Sequence, residues 1–207
     1  MDKLEAKRAE VFEENYRLYL SRLAQIDLAA RAGMLGGRME KNAAVVSFFD
    51  RRYRVTAEAI TDADGAQAPY DVCVVLARHL LMCPKRLPTE DTWSAYRDFK
   101  DAGPLTVFFA DAVEGAIAET FSGRCAELEK ACRSLGGSPP LAALSYDVTM
   151  QIPALPRIPM LLLFNDKDEE FPPQCSVLFE ARAERYLDAE SLAILGSQLT
   201  QRLKAGA

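Results

Sequence analysis

The sequence predicts an α+β fold, with helices packed on a mainly antiparallel sheet in one domain spanning residues 1–207. Three observations point there. Apolar residues recur at helical spacing near both ends: Phe12, Tyr16, Tyr19, Leu20 and Leu23, then Leu192, Leu195, Leu199 and Leu203. Between these ends lie strand-like segments in adjacent pairs with short connections, which favours antiparallel pairing. The composition, 49% hydrophobic and 27% charged over 207 residues, is that of a chain able to bury an ordinary core.

The first helix is expected over residues 3 to about 24. Asp27 has the character of a cap for a short second helix, Leu28 to Ala32, closed by Gly33. Val45 to Phe49 and Arg52 to Thr56 read as two strands around a tight Asp50-Arg51 turn. Tyr53 and Val55 would share one face, Arg52 and Arg54 the other. Ala57 to Ile60 extends the sheet, and Asp62-Ala63-Asp64-Gly65 is a turn by composition. Pro69 suits the first turn of a largely apolar helix running to about Met82.

Prolines 84 and 88 make Cys83 to Thr92 a loop. A short extended piece begins at Trp93, and a turn or short helix follows over Tyr96 to Phe99. Leu105 to Phe121 reads as helix interrupted near Gly115, and Arg124 to Leu135 as a second helix ended by Gly136-Gly137. Ala143 to Ile152 alternates like a strand. Pro153 and Pro156 bound its connection to the longest apolar run, Ile158 to Phe164. Both faces of that run are apolar, so it reads as a strand covered on both sides. Ser176 to Tyr186 fits helix or strand, and Asp188 caps a last helix.

Several classes of function are excluded by composition. The net charge of −5 argues against a general nucleic-acid binder. Arg51, Arg52 and Arg54 beside Phe48, Phe49 and Tyr53 read better as a solvated strand face than as a nucleic-acid patch. The first residues carry no apolar signal-peptide core, and no run is long enough for a membrane span, so a cytoplasmic protein is expected. There is no phosphate-binding glycine loop, no dinucleotide fingerprint and no nucleophile elbow.

The chemistry-bearing residues are few. Cys73, Cys83, Cys125, Cys132 and Cys175 are widely spaced with no CxxC, and only one histidine, His79, is available to complete a zinc site. Reduced thiols in a cytosolic protein are the expected state. His79 lies in the apolar helix, where it reads as a core histidine, with axial ligation of a haem or corrinoid as the rarer alternative. Asp166, Asp168, Glu169 and Glu170 follow the apolar strand, and alternate carboxylates can converge on a hard cation. Charge at a strand end also deters edge-to-edge aggregation. The structural role is the expectation here, with no metal assigned and no catalytic residue identified; Asp166, Asp168, Glu169, Glu170 and His79 remain the ligand-binding candidates.

The C-terminal half carries a recognisable pattern. Leu155-Pro156-Arg157-Ile158-Pro159, the apolar run, Asp168-Glu169-Glu170-Phe171-Pro172, Val177-Leu178-Phe179 and Tyr186-Leu187 with Glu190 resemble the family called domain of unknown function 3786. Leu135-Gly136-Gly137, Phe48-Phe49 with Tyr53, and Ile26-Asp27-Leu28 are similar to it as well, so the resemblance spans nearly the whole chain. Two positions depart from the pattern: Asp50 stands where a glycine is common and Phe164 where a tryptophan is common. The resemblance implies an anaerobic source, and an association with iron–sulfur modules of corrinoid proteins in one-carbon metabolism. It implies no cofactor and no catalytic residue for this chain. The expected function is therefore a non-catalytic binding or accessory protein with a corrinoid or iron–sulfur protein as partner. The alternative is an enzyme using the acidic turn Asp166–Glu170, with or without a divalent metal.

Overall fold

The computed structural model describes residues 3–207, with side chains from Glu10 onward. The N-terminal part runs α1 (Lys3–Leu23), α2 (Leu28–Met34), β1 (Arg38–Glu40), β2 (Ala43–Phe48), β3 (Arg51–Val55) and β4 (Ile60–Thr61). These four strands form an antiparallel meander in sequence order. Asp27 caps α2, its carboxylate accepting from the Ala30 N–H at 2.9 Å. Tyr53 and Val55 are buried while Arg52 is exposed and Arg54 half-buried, the alternation expected of a one-sided sheet.

The hairpin turn sits one residue earlier than expected, at Phe49-Asp50. Phe49 takes a left-handed conformation (φ 52°), giving the turn the hand that matches strand twist. Its N–H donates to the Ala154 carbonyl at 2.8 Å. That bond ties this sheet to the second one and compensates for the unfavourable backbone.

After α3 (Tyr70–Leu81) the chain forms β5 (Trp93–Ala95), a 3₁₀ turn over Tyr96–Asp98, and a helix in three parts: α4 (Thr106–Phe109), a π-helical stretch Ala110–Gly115, and α5 (Ala116–Phe121). The interruption expected near Gly115 is this π segment rather than a break. Then come α6 (Cys125–Ser134), β6 (Val148–Leu155), β7 (Ile158–Asn165), β8 (Gln174–Glu180) and α7 (Ala189–Ala205). The second antiparallel sheet has the order β5-β8-β7-β6. Pro153 lies within β6, not beyond it, opposite Pro159 and beside a register shift. A proline is tolerated there because β6 is an edge strand and the bulge removes a ladder bond anyway. Ser176 to Tyr186 resolves into strand to Glu180 and a 3₁₀ turn over Ala181–Arg185.

β7 is central, and its residues explain why. Met160, Leu162 and Phe164 point into the main core with Val148, Met150, Ile152, Val177 and Phe179. Leu161 and Leu163, on the opposite face, are buried too, flanked by their cross-strand neighbours Gln151 and Leu178, Thr149 and Ser176. α7 packs against α3, α5, α6 and the π segment. Leu192, Leu195, Leu199 and Leu203 are fully buried, and Ala193, Gly196 and Thr200 bury further sides of the helix. A Cβ at Gly196 would stand 2.5 Å from Phe109 Cε2, so only glycine lets these helices approach so closely. Phe109 cannot swing aside, since its ring stacks on Tyr96 at 4.3 Å. Among the described residues, no helix is long and apolar enough to cross a membrane.

Candidate functional site

The acidic turn leaves β7 at Asn165. Asp166 directs both carboxylate oxygens at the Gly123 N–H, 2.8 and 3.0 Å away, and also accepts from the Lys167 N–H. The Gly123 N–H in particular holds the Asp166 carboxyl below its usual range. Asp166 thereby pins the exit of β7 to the loop joining α5 to α6. On the far side, the Asp166 N–H donates to Asp147 at 2.8 Å. Asp168 closes the turn itself, one oxygen accepting from the Glu170 and Phe171 N–H groups at 2.8 and 2.7 Å. Glu169 and Glu170 are exposed.

Asp147, Asp166 and Asp168 border an open, mainly polar concavity of about 670 Å³ with Lys167, Phe171 and Gln174. No three His, Cys, Asp or Glu side chains among the described residues are arranged to hold a metal ion. A hard cation needs about six oxygen ligands free to converge, whereas both oxygens of Asp166 and one of Asp168 are engaged by backbone N–H groups. The sequence pattern of alternating carboxylates is thus used mainly for turn formation.

His79 does not join this turn. It is fully buried on α3, its ring centroid 6.0 Å from that of Tyr186. Neither ring nitrogen finds a partner of full hydrogen-bond geometry, although the Tyr186 backbone lies near enough to favour the charged form in part. Burial dominates and pushes its pKa down to about 4. It lines neither the acidic concavity nor the groove described next. The thiols are equally withdrawn. All five cysteines are free and none is exposed, and burial raises Cys73 and Cys132 to about 12 and Cys175 well above the ordinary range.

Glu114 escaped the sequence reading because a single glutamate inside a helix carries no signal. It sits in the π segment, and its carboxylate accepts the Val177 N–H at 2.9 Å. β5 pairs only with residues 178–180 of β8, so Glu114 satisfies a strand N–H that β5 is too short to reach. Burial raises the Glu114 carboxyl, the Val177 bond and Arg97 opposing it. A raised carboxyl adds stability below its ordinary pKa, and this is lost as pH rises through the folded value. At neutral pH, Glu114→Gln should therefore equal or exceed wild-type stability in urea denaturation, since it keeps the acceptor and loses the desolvated charge. Glu114→Ala should cost about 1–3 kcal/mol by orphaning the Val177 N–H. Equal losses for both variants would show that the charge itself is needed.

The concavity best suited to a ligand lies elsewhere. A groove of about 640 Å³ runs between the first turns of α7 and the segment leading into α4. Small residues at helical spacing on α7, Ala189, Ala193 and Ser197, form its floor, and Pro104, Leu105, Phe108 and Ile194 its walls. Four carboxylates stand around it: Asp71, Asp101, Asp188 and Glu190. An apolar concavity with a few polar groups is the usual form of a binding site.

Two antiparallel four-stranded sheets with helices packed on them define an α+β protein, with an apolar groove between its helical segments and the chemically suggestive residues held in turns and core. The family model described as Domain of unknown function (DUF3786) matches residues 27–202, and the chain belongs to that family. No curated protein and no solved structure matches it.

Proposed function

We propose that this chain is a non-catalytic binding or accessory protein of the cytoplasm, serving corrinoid or iron–sulfur one-carbon metabolism in an anaerobe. The observation that carries the binding role is the contrast between two places. At the acidic turn the Asp166 and Asp168 carboxylates are spent on the fold and His79 is sealed in the core, whereas the apolar groove beside α7 is open. The link to corrinoid and iron–sulfur systems rests on the family resemblance alone. A second reading, an enzyme at the acidic turn, draws support from the polar concavity that Asp147 borders with Asp166 and Asp168.

The test is purification from an anaerobic host, followed by absorbance and mass analysis. A retained ligand, or a corrinoid or iron–sulfur protein bound in stoichiometric amount, is the expected result. Turnover of a small molecule that disappears in an Asp166→Asn/Asp168→Asn variant which still folds would overturn the proposal.

A further inference from the structure

We propose that the groove beside α7 receives the apolar face of a basic amphipathic helix from a partner protein. This rests on the binding-protein reading and names the occupant. Charge selects the sign of the partner: the groove is bordered by Asp71, Asp101, Asp188 and Glu190, and among the described residues no lysine or arginine lines it. Two of the four are committed within the fold: Asp188 to the Ser191 N–H and to Arg78 at 3.4 Å, and Asp71 to the Val72 N–H and to Gln198 at 2.5 Å. Asp101, on the segment leading into α4, and Glu190, on α7, are exposed. Asp101 is held in place by a left-handed backbone (φ 62°), a strained conformation for a residue other than glycine.

Shape selects a helix over a small molecule. A small ligand is usually buried over most of its surface, but this groove is an open trough. Its apolar surface also continues outward: Phe108 on the wall is 45% exposed, and Val107 beside it in α4 is 72% exposed. An amphipathic helix would set residues spaced three and four apart into the trough, with flanking lysines or arginines over the carboxylates.

The test uses fluorescence anisotropy with a labelled helical peptide of leucine and lysine carrying one leucine stripe. Its comparators are the same peptide with glutamate for lysine, and a scramble that keeps the composition and loses the stripe. Wild type should bind the leucine–lysine helix at least about tenfold more tightly than either comparator, a difference of about 1.4 kcal/mol. Binding should weaken as salt rises through the range where the Debye length falls below about 10 Å. Asp101→Asn/Glu190→Gln should lose about tenfold in affinity, and so should Phe108→Ser. Glu169→Gln/Glu170→Gln removes the same charge past the far end of the α4–α5 helix and should leave binding unchanged.

Thermal melts establish that each variant folds. Should Phe108→Ser fail to fold, the double carboxylate variant, which alters only exposed groups, still decides the matter. Equal loss in the groove and remote variants would reduce the effect to general charge attraction and overturn the proposal. So would equal binding of the scramble, or no binding at all. Self-association abolished by Asp101→Asn/Glu190→Gln would assign the groove to a second copy instead. If the peptides fail while protein from an anaerobic host still carries a ligand or partner, this inference falls and the binding role stands.

Discussion

Leu162→Ala is expected to cost about 2–5 kcal/mol of folding stability, the range for emptying a well-packed core site. Leu162 is fully buried in the middle of β7, between Met150 on β6 and Val177 on β8. Both neighbours are themselves fixed in strands, so the surroundings cannot collapse into the space. Denaturation by urea at neutral pH measures the loss. A change below about 1 kcal/mol is the size of an ordinary surface or mildly packed site, and would contradict the central place of β7.

Acid should expose His79. The ordinary histidine pKa is about 6.5, and burial holds His79 near 4 in the folded protein. The folded state thus binds fewer protons than the unfolded state between these values. Stability from this group is complete above about pH 6.5 and is lost as pH falls through about 4. The full loss is about 3 kcal/mol, from roughly 1.4 kcal/mol per pKa unit. Carboxylates titrate over the same range, so the comparison is with His79→Leu, which keeps an apolar core and cannot protonate. The wild type should lose about 3 kcal/mol relative to the variant on acidification, and at neutral pH the variant should equal or exceed the wild type, since leucine removes a buried imidazole without full hydrogen bonds. Parallel pH profiles would show that His79 is hydrated or paired.

Much of the fold was readable because its signals are local. Asp27 and Asp188 each precede an amphipathic run and cap a helix as expected. The unbroken apolar character of residues 158–164 identified β7, since a strand buried on both faces has no alternation to hide. Features that depend on distant partners were not readable. β1, Arg38–Glu40, has no apolar pattern and exists as a strand because β2 offers it an edge. Pro153 signals a strand end until one sees that it lies on an edge opposite Pro159. Division of the strands between two sheets depends on contacts such as Phe49 N–H to Ala154, far apart in sequence.

The same division holds for the sites. The acidic turn stands out as a run of charge, but its use is set by Gly123, some forty residues upstream. The groove is assembled from Asp71, Leu105, Phe108, Glu190 and Ile194, residues far apart in sequence whose convergence no local pattern announces. Its small floor residues, Ala189 and Ala193, are themselves buried and resemble ordinary helix-packing alanines.

The claim that the acidic turn is a structural clamp, leaving binding to the groove, is tested most directly by thermal melts of wild type and Asp166→Asn/Asp168→Asn, in EDTA and in millimolar Ca²⁺ or Mg²⁺. A bound ion would stabilise the fold by about 2.7 kcal/mol at a hundredfold excess over its dissociation constant. The account predicts that neither protein shifts with metal, and that the variant melts lower under every condition because amides accept the Gly123, Glu170 and Phe171 N–H groups less strongly than carboxylates do. A gain of several degrees with metal, in the wild type alone, would contradict it and move the function to the acidic turn.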